Sequence, residues 1–126
     1  MGKGYLIDTN AVIDYLDNKL PAKANAFIDG IHPNISVITR IELLAWPGAD
    51  ERQVHILKEF VDIAGGFNLQ EEIIQKTISI RKSHKTKLPD AIIAATSLVH
   101  GLTLITRNTK DFDNIEGLHV VNPWDI

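Results

Sequence analysis

The sequence of 126 residues has no cysteine and a single methionine. The first absence excludes disulfides, zinc ribbons and thiol catalysis. No apolar run approaches the ~20 residues that a membrane-spanning helix requires, so no membrane partner is expected. The opening residues lack the charged-then-apolar layout of a signal peptide. Met1-Gly2 does not extend into a myristoylation motif either, because Leu6 stands where that motif needs Ser or Thr. A cysteine-free chain without these signals is expected in the cytoplasm. No glycine-rich loop of the phosphate-binding or dinucleotide type is present. Ser36, Ser79, Ser83 and Ser97 lack a nucleophile-elbow context. His32, His55, His84, His100 and His119 are scattered without metal-ligand or acid–base spacing, and read as surface or local hydrogen-bonding residues. Repeats, linkers and low-complexity segments are missing too.

What remains is an ordinary globular mixture, 44% hydrophobic and 23% charged. It is expected to form one domain over residues 1–126 that buries roughly 65–70% of its unfolded surface. The formal net charge of −3 speaks against a nucleic-acid partner only until bound cations are counted. Two divalent ions would take −3 to about +1 and place the positive potential where they bind.

Apolar runs and helical spacings alternate along the chain. Tyr5 to Ile7 reads as a buried parallel strand, followed by a helix over Asn10 to Leu16 and another over Ala22 to Ile28. Ile35 to Val37 reads as a short strand leading into a helix that Pro47-Gly48 stops. Asp50 to Ile63 repeats a helical pattern that Gly65-Gly66 ends, with a brief strand expected at Phe67 to Leu69. Glu71 to His84 has the spacing of an exposed amphipathic helix. Pro89 to His100 has few polar positions and is expected to be a largely buried helix, its alanines allowing close approach to a sheet. Strands at Leu102 to Thr106 and Leu118 to Val121 complete the pattern. The fold class is α/β, with layers of helices around a parallel sheet.

Four acids sit where these elements begin or end: Asp8 after the first strand, Glu42 at the opening of the third helix, Asp90 at the start of the buried helix, and Asp111 past the strand ending at Thr106. In open parallel sheets ligands bind beyond the carboxyl ends of the strands, and Asp8 and the 108–111 turn fall on that edge. Carboxylates gathered without matching Lys or Arg are stabilised by a hard divalent ion bound through oxygen. Each acid also has a structural explanation. Asp8 fits a helix N-cap. Thr39-Arg40-Ile41-Glu42 fits a capping box. Asp90 complements a helix dipole, and Asn108 to Asp111 fits a capped turn. It is the conjunction of all four that points to a site.

These residues lie in stretches that resemble the PIN-domain family and, within it, the VapC-like toxin nucleases of prokaryotic toxin–antitoxin pairs. The stretches are Leu6-Ile7-Asp8-Thr9-Asn10, Ser36-Val37-Ile38-Thr39-Arg40-Ile41-Glu42-Leu43, Leu88-Pro89-Asp90-Ala91-Ile92-Ile93-Ala94-Ala95-Thr96, and Leu104-Ile105-Thr106-Arg107-Asn108-Thr109-Lys110-Asp111-Phe112, followed by Asn122-Pro123-Trp124. The resemblance implies a three-layer α/β/α fold around a mostly parallel sheet of four to five short strands. It further implies an endoribonuclease site using Mg²⁺ or Mn²⁺, with Asp8, Glu42 and Asp90 matching the family's three metal-binding acids. The fourth position is either Asn108, directly after Thr-Arg, or Asp111 three residues on. Asp111 is the expected ligand, with Asn108 as a neutral oxygen donor or turn-former. An antitoxin whose C-terminal segment covers the acidic cleft, an RNA substrate and a homodimer are the implied partners.

The implied reaction is hydrolysis of RNA phosphodiesters to 5′-phosphate and 3′-hydroxyl ends, promoted by the Lewis acidity of the ions. Thr9 and Thr106 are expected to orient a carboxylate or the attacking water, with Asn10 beside them. The basic stretch containing Arg81, Lys82, Lys85 and Lys87 stands before Asp90 and would guide the RNA backbone, with Arg107 on the opposite bank; a solvated charge run is the competing explanation. Trp46 and Trp124 suit packing, a dimer contact or base stacking. Two other functions compete. A receiver-like phosphoacceptor domain would need paired acids after the first strand, where this chain has Asp8-Thr9-Asn10. A non-catalytic PIN scaffold binding RNA or protein is kept open by Asn108.

Overall fold

Strands β1 (Tyr5–Ile7) and β4 (Thr103–Ile105) lie side by side at the centre of the sheet, with Leu6 opposite Leu104 and Ile7 opposite Ile105. The structure is a computed structural model describing residues 4–126, so the reading of Met1-Gly2 lies outside the described residues. Successive strand residues point to opposite faces. Leu6 and Leu104 therefore enter one apolar cluster, and Ile7 and Ile105 the other. The first cluster is closed by helices α5 (Glu71–Ser83) and α6 (Leu88–His100) through Ile73, Ile80 and the run Ala91 to Ala95. The second is closed by α1 (Thr9–Leu16), α2 (Ala22–Asp29), α3 (Val37–Leu44) and α4 (Glu51–Ile63), through Val12, Ile28, Leu43 and Phe60. Both faces are covered, which is why Leu6-Ile7 and Leu104-Ile105 are apolar in succession instead of alternating with polar residues.

With β2 (Pro33–Ser36), β3 (Gly65–Phe67) and β5 (Val120–Val121), the sheet has five strands in the order β3-β2-β1-β4-β5. Every pair is parallel. The chain works outward from β1 to β2 and β3, then returns to place β4 on the other side of β1. That reversal makes the carboxyl ends of β1 and β4 the topological switch point, where a crevice forms. The ladder runs one residue past both strands: Asp8 N–H donates to the Ile105 carbonyl at 2.9 Å, and Thr106 N–H to the Val121 carbonyl at 3.0 Å. The backbones of Asp8 and Thr106 are thus held by the sheet itself.

Two local expectations are corrected. The strand expected at Ile35 to Val37 ends at Ser36, and Val37 already belongs to α3. Ser36 is the N-cap, its Oγ accepting from Thr39 N–H at 3.2 Å. Thr39 is therefore inside the helix, the Thr39–Glu42 capping box does not form, and Glu42 lies in the second turn. The strand expected at Phe67 to Leu69 instead spans Gly65–Phe67. Glycine favours close approach there: a Cβ at Gly65 would displace the side-chain amide of Asn34, its neighbour in β2. The residue pair that reads as a helix stop also begins an edge strand. Among the described residues no helix is long and apolar enough to cross a membrane.

Candidate active site

Asp8 is the most constrained of the four acids. It follows β1, caps α1 and is only 5% exposed. Its Oδ1 accepts from Thr9 N–H at 2.8 Å; Oδ2 accepts from the Thr106 hydroxyl at 2.8 Å and from Asn10 Nδ2 at 3.1 Å. Capping and site roles coexist, because the N-cap bond occupies one oxygen and leaves the other facing the cleft network. Burial pushes the Asp8 carboxyl above its ordinary range; its three hydrogen bonds oppose that, and the Glu42 charge adds to it. No cation is among the causes.

Glu42 is held from α1. Thr9 Oγ1 donates to Glu42 Oε1 at 2.5 Å, and Thr39 Oγ1 lies 3.1 Å from the same hydroxyl. A hydroxyl has one proton. With the Thr9 proton on Glu42, Thr39 supplies its own to Thr9. Both threonines are buried, so the orientation of an exposed carboxylate is set from beneath.

Asp90 sits in the first turn of α6. Its pKa is pushed up to about 6, first by desolvation, then by the charges of Asp8 and Asp111, with Lys87 opposing and Glu42 adding. Asp8, Glu42, Asp90 and Asn108 line one cleft of about 520 Å³, whose other bank is apolar: Ile41, Ala45, Trp46 and Pro47. Asp111, exposed on a short 3-10 turn over Thr109–Asp111, lines a second, smaller cleft that shares only Asp90 with the first. The two residues considered for the fourth position thus line different clefts. Asn108 shares its cleft with Asp8 and Glu42, and Asp111 shares its own with the lysines of the α5–α6 connection.

Of the supporting residues, Thr106 is a junction. It donates to Asp8 and accepts from Asn108 N–H at 3.1 Å, with Asn10 Nδ2 at 3.4 Å. Asn10 Oδ1 accepts Arg107 N–H at 3.0 Å, which ties the turn after β4 to α1. Arg107 itself is not a free bank of the cleft. Its guanidinium is paired with Asp14, a buried residue of α1 that the sequence pattern did not single out. The available signal was an acid placed between Ile13 and Leu16 in an otherwise apolar helical run. Lys85 and Lys87 line the cleft beside Asp90, whereas Arg81 and Lys82 are exposed in the last turn of α5 and line neither cleft. Lys110, also missed, lines the cleft with Lys85 and Lys87.

The donor set fits a hard divalent cation in kind: carboxylate oxygens, backed by hydroxyls and amides, with no Lys or Arg in salt-bridge contact with Asp8, Glu42 or Asp90 among the described residues. The spacing is looser. Among the described residues, no group of three acidic or histidine side chains stands close enough to hold one ion. Asp8 and Glu42 are turned toward neutral donors, and like-charge repulsion favours such separation of carboxylates that share a cleft.

A parallel α/β domain with an uncompensated carboxylate cleft at its switch point is the class these observations define. The PIN domain model matches residues 5–118, and the chain belongs to that family. A chain of a toxin–antitoxin complex from Klebsiella pneumoniae is 35% identical, with 98% of this chain and 100% of that one covered and a TM-score of 0.78. A chain of the DNA-bound VapBC of Salmonella typhimurium shares the fold at 23% identity and a TM-score of 0.83, covering 97% of this chain and 99% of its own. Ribonuclease VapC1 of Rickettsia felis is 53% identical over 32 residues, which are 25% of this chain and 24% of that protein. That match spans about a quarter of the curated relative's length.

Proposed function

We propose that this chain is a divalent-metal-dependent endoribonuclease, the toxin of a toxin–antitoxin pair, and that it cuts RNA at the cleft formed by Asp8, Glu42 and Asp90. The observation that carries the reading is that three carboxylates from three different elements line one cleft with no Lys or Arg in salt-bridge contact among the described residues. Asp8, Glu42 and Asp90 would hold Mg²⁺ or Mn²⁺, with Asn108 or Asp111 contributing a further oxygen. The bound ion supplies Lewis acidity toward water and the scissile phosphate. The chain's own residues do the positioning. Thr106 and Asn10 hold Asp8 Oδ2, and Thr9 holds Glu42 Oε1. Asp90, with a pKa near 6, gives up its proton at neutral pH and so presents a charged oxygen to an incoming cation.

The toxin role is supported by the likeness to the Klebsiella pneumoniae complex and by the exposed apolar bank of the cleft. On that bank Ile41 is 58% and Trp46 37% exposed, and an antitoxin segment seated there would lie across the carboxylates. A homodimer belongs to the same proposal.

One observation favours a second reading, a PIN scaffold that binds without cutting: no three ligating side chains converge among the described residues, and Asn108 is neutral. Purified protein decides between them. On the first reading it cuts single-stranded RNA with Mg²⁺ or Mn²⁺, stops with EDTA, and loses at least about a hundredfold in rate as Asp8→Asn or Asp90→Asn. Cleavage unchanged in those variants would assign the activity to a contaminant and remove the nuclease reading.

A further inference from the structure

The smaller cleft, of about 260 Å³, is lined by Lys85 and Lys87 from the α5–α6 connection and by Lys110 from the 3-10 turn, with Asp90 and Asp111 at its acidic end. Three lysines from two separate segments thus line one cleft with Asp90. Among the described residues none of the three is in salt-bridge contact with a carboxylate, although the Lys87 charge acts on Asp90 at longer range. The two banks are fixed to each other. His84 Nε2 lies 2.6 Å from the Asn114 carbonyl, and its Nδ1 lies 3.0 Å from Ser83 Oγ. Both ring nitrogens are engaged, and beneath them Ile115 is buried in the core. The two segments that line the cleft are therefore joined by a hydrogen bond, and the second is anchored in the core by Ile115.

Its lining contrasts with that of the larger cleft. Apart from the committed His84 ring, it has no aromatic side chain on which a base could stack; the larger cleft has Trp46. Asp90 is common to both. Phosphate contacts position a nucleic acid without reading it, whereas stacking platforms accept bases. The geometry points to the Lys85–Lys87–Lys110 cleft as a subsite for a backbone phosphate of single-stranded RNA next to the scissile bond. The strand then crosses Asp90 with its phosphate on the lysine side and a base on the Trp46 side. This rests on the ribonuclease reading and deepens it, since it assigns the strand a path across Asp90 and a sequence-independent hold on one side.

The test is RNA binding by the full chain in EDTA, where nothing is cut, read by anisotropy of a short fluorescein-labelled oligouridylate. K85A/K110A removes one cation from each bank and spares Lys87, whose charge acts on Asp90. K23A/K58A removes two exposed cations of α2 and α4, outside both clefts. The expected result is an affinity loss of roughly tenfold and a salt slope shallower by about 1 for K85A/K110A, against less than about twofold for the control. Melting temperatures within a few degrees of the parent confirm that both variants are folded. Equal losses in the two variants, or none in K85A/K110A, would overturn the subsite while leaving wild-type cleavage in place. Failure of the parent chain to bind or cut RNA would remove the ribonuclease reading as well. Inorganic phosphate distinguishes an RNA subsite from a free-anion site: it should compete no better than chloride at matched ionic strength. Competition beyond that would make the cleft a site for free phosphate and overturn the proposal.

Discussion

Arg107 Nη1 donates to both carboxylate oxygens of Asp14, at 3.1 and 3.0 Å, and the indole N–H of Trp124 donates to one of the same oxygens at 3.0 Å. Asp14 is 3% exposed, so a buried charge in α1 is satisfied by two donors that arrive from the turn after β4 and from the C-terminal 3-10 turn. The arrangement pins the segment that carries Asn108. It also explains why Arg107, whose side chain is half exposed, serves the fold before any substrate.

Asp14→Ala should therefore cost about 2 kcal/mol in urea denaturation, less than a fully buried pair because Arg107 reaches solvent. Trp124→Phe, which keeps the ring and removes one donor, should cost about 1 kcal/mol. A loss below about 0.5 kcal/mol for Asp14→Ala would show that the latch carries no stability.

Glu42 is not part of a capping box, so its removal should separate stability from activity. Glu42→Gln is expected to change stability by less than about 0.5 kcal/mol, while Ser36→Ala, which deletes the real cap, costs about 1 kcal/mol. RNA cleavage should respond in the opposite order, falling steeply for Glu42→Gln and little for Ser36→Ala. Parallel urea melts and cleavage assays of the two variants make the comparison.

Thr9→Val keeps shape and burial but removes the hydroxyl that orients Glu42. Side chains behind a metal ligand typically contribute about 10- to 100-fold in affinity, so Mn²⁺ binding measured by calorimetry should weaken by at least about tenfold. An unchanged affinity would mean that Glu42 needs no support from α1.

The raised carboxyls make the metal-free protein sensitive to pH in a defined direction. Asp90 has a folded pKa of about 6 against an ordinary 3.8, so between those values the folded chain binds more protons than the unfolded one. Stability from this group is complete below the lower value and is lost as pH rises through the upper one. Melting in EDTA should therefore occur at a higher temperature near pH 5 than near pH 7.5, by an amount matching about 1 kcal/mol or less once screening at this half-exposed site is allowed for. Asp90→Asn should flatten that dependence. In carbon-detected NMR titrations, Asp8→Asn should bring the Asp90 pKa down toward 3.8, because one of the charges that raise it is gone.

Local pattern was enough to locate most elements. The helix read over Pro89 to His100 forms as Leu88–His100, and the strand before Asp8 forms as Tyr5–Ile7, because apolar period and strong stop signals act within a few residues. The α/β layering was legible for the same reason, while its PIN-like form was what the family resemblance implied. Legible too was the position of each acid at an element end, since chain order alone sets what precedes and follows it.

Local pattern could not say which of two competing local bonds forms or which distant side chains meet. Ser36 and Thr39 both offer a capping oxygen, and Ser36 prevails because β2 ends at Ser36, where its pairing with Phe67 of β3 terminates the register. Asn108 and Asp111 are three residues apart in sequence, yet across the 3-10 turn over Thr109–Asp111 they line different clefts that share Asp90. Arg107 looked like a cleft cation until Asp14, 93 residues earlier in the chain, took it. Chain chemistry settled which carboxylates exist and where helices present them. Only the parallel sheet, by stacking β1 beside β4 and closing α6 over them, decided which carboxylates share a cleft, because burial and like-charge proximity arise from contacts that no stretch of sequence contains.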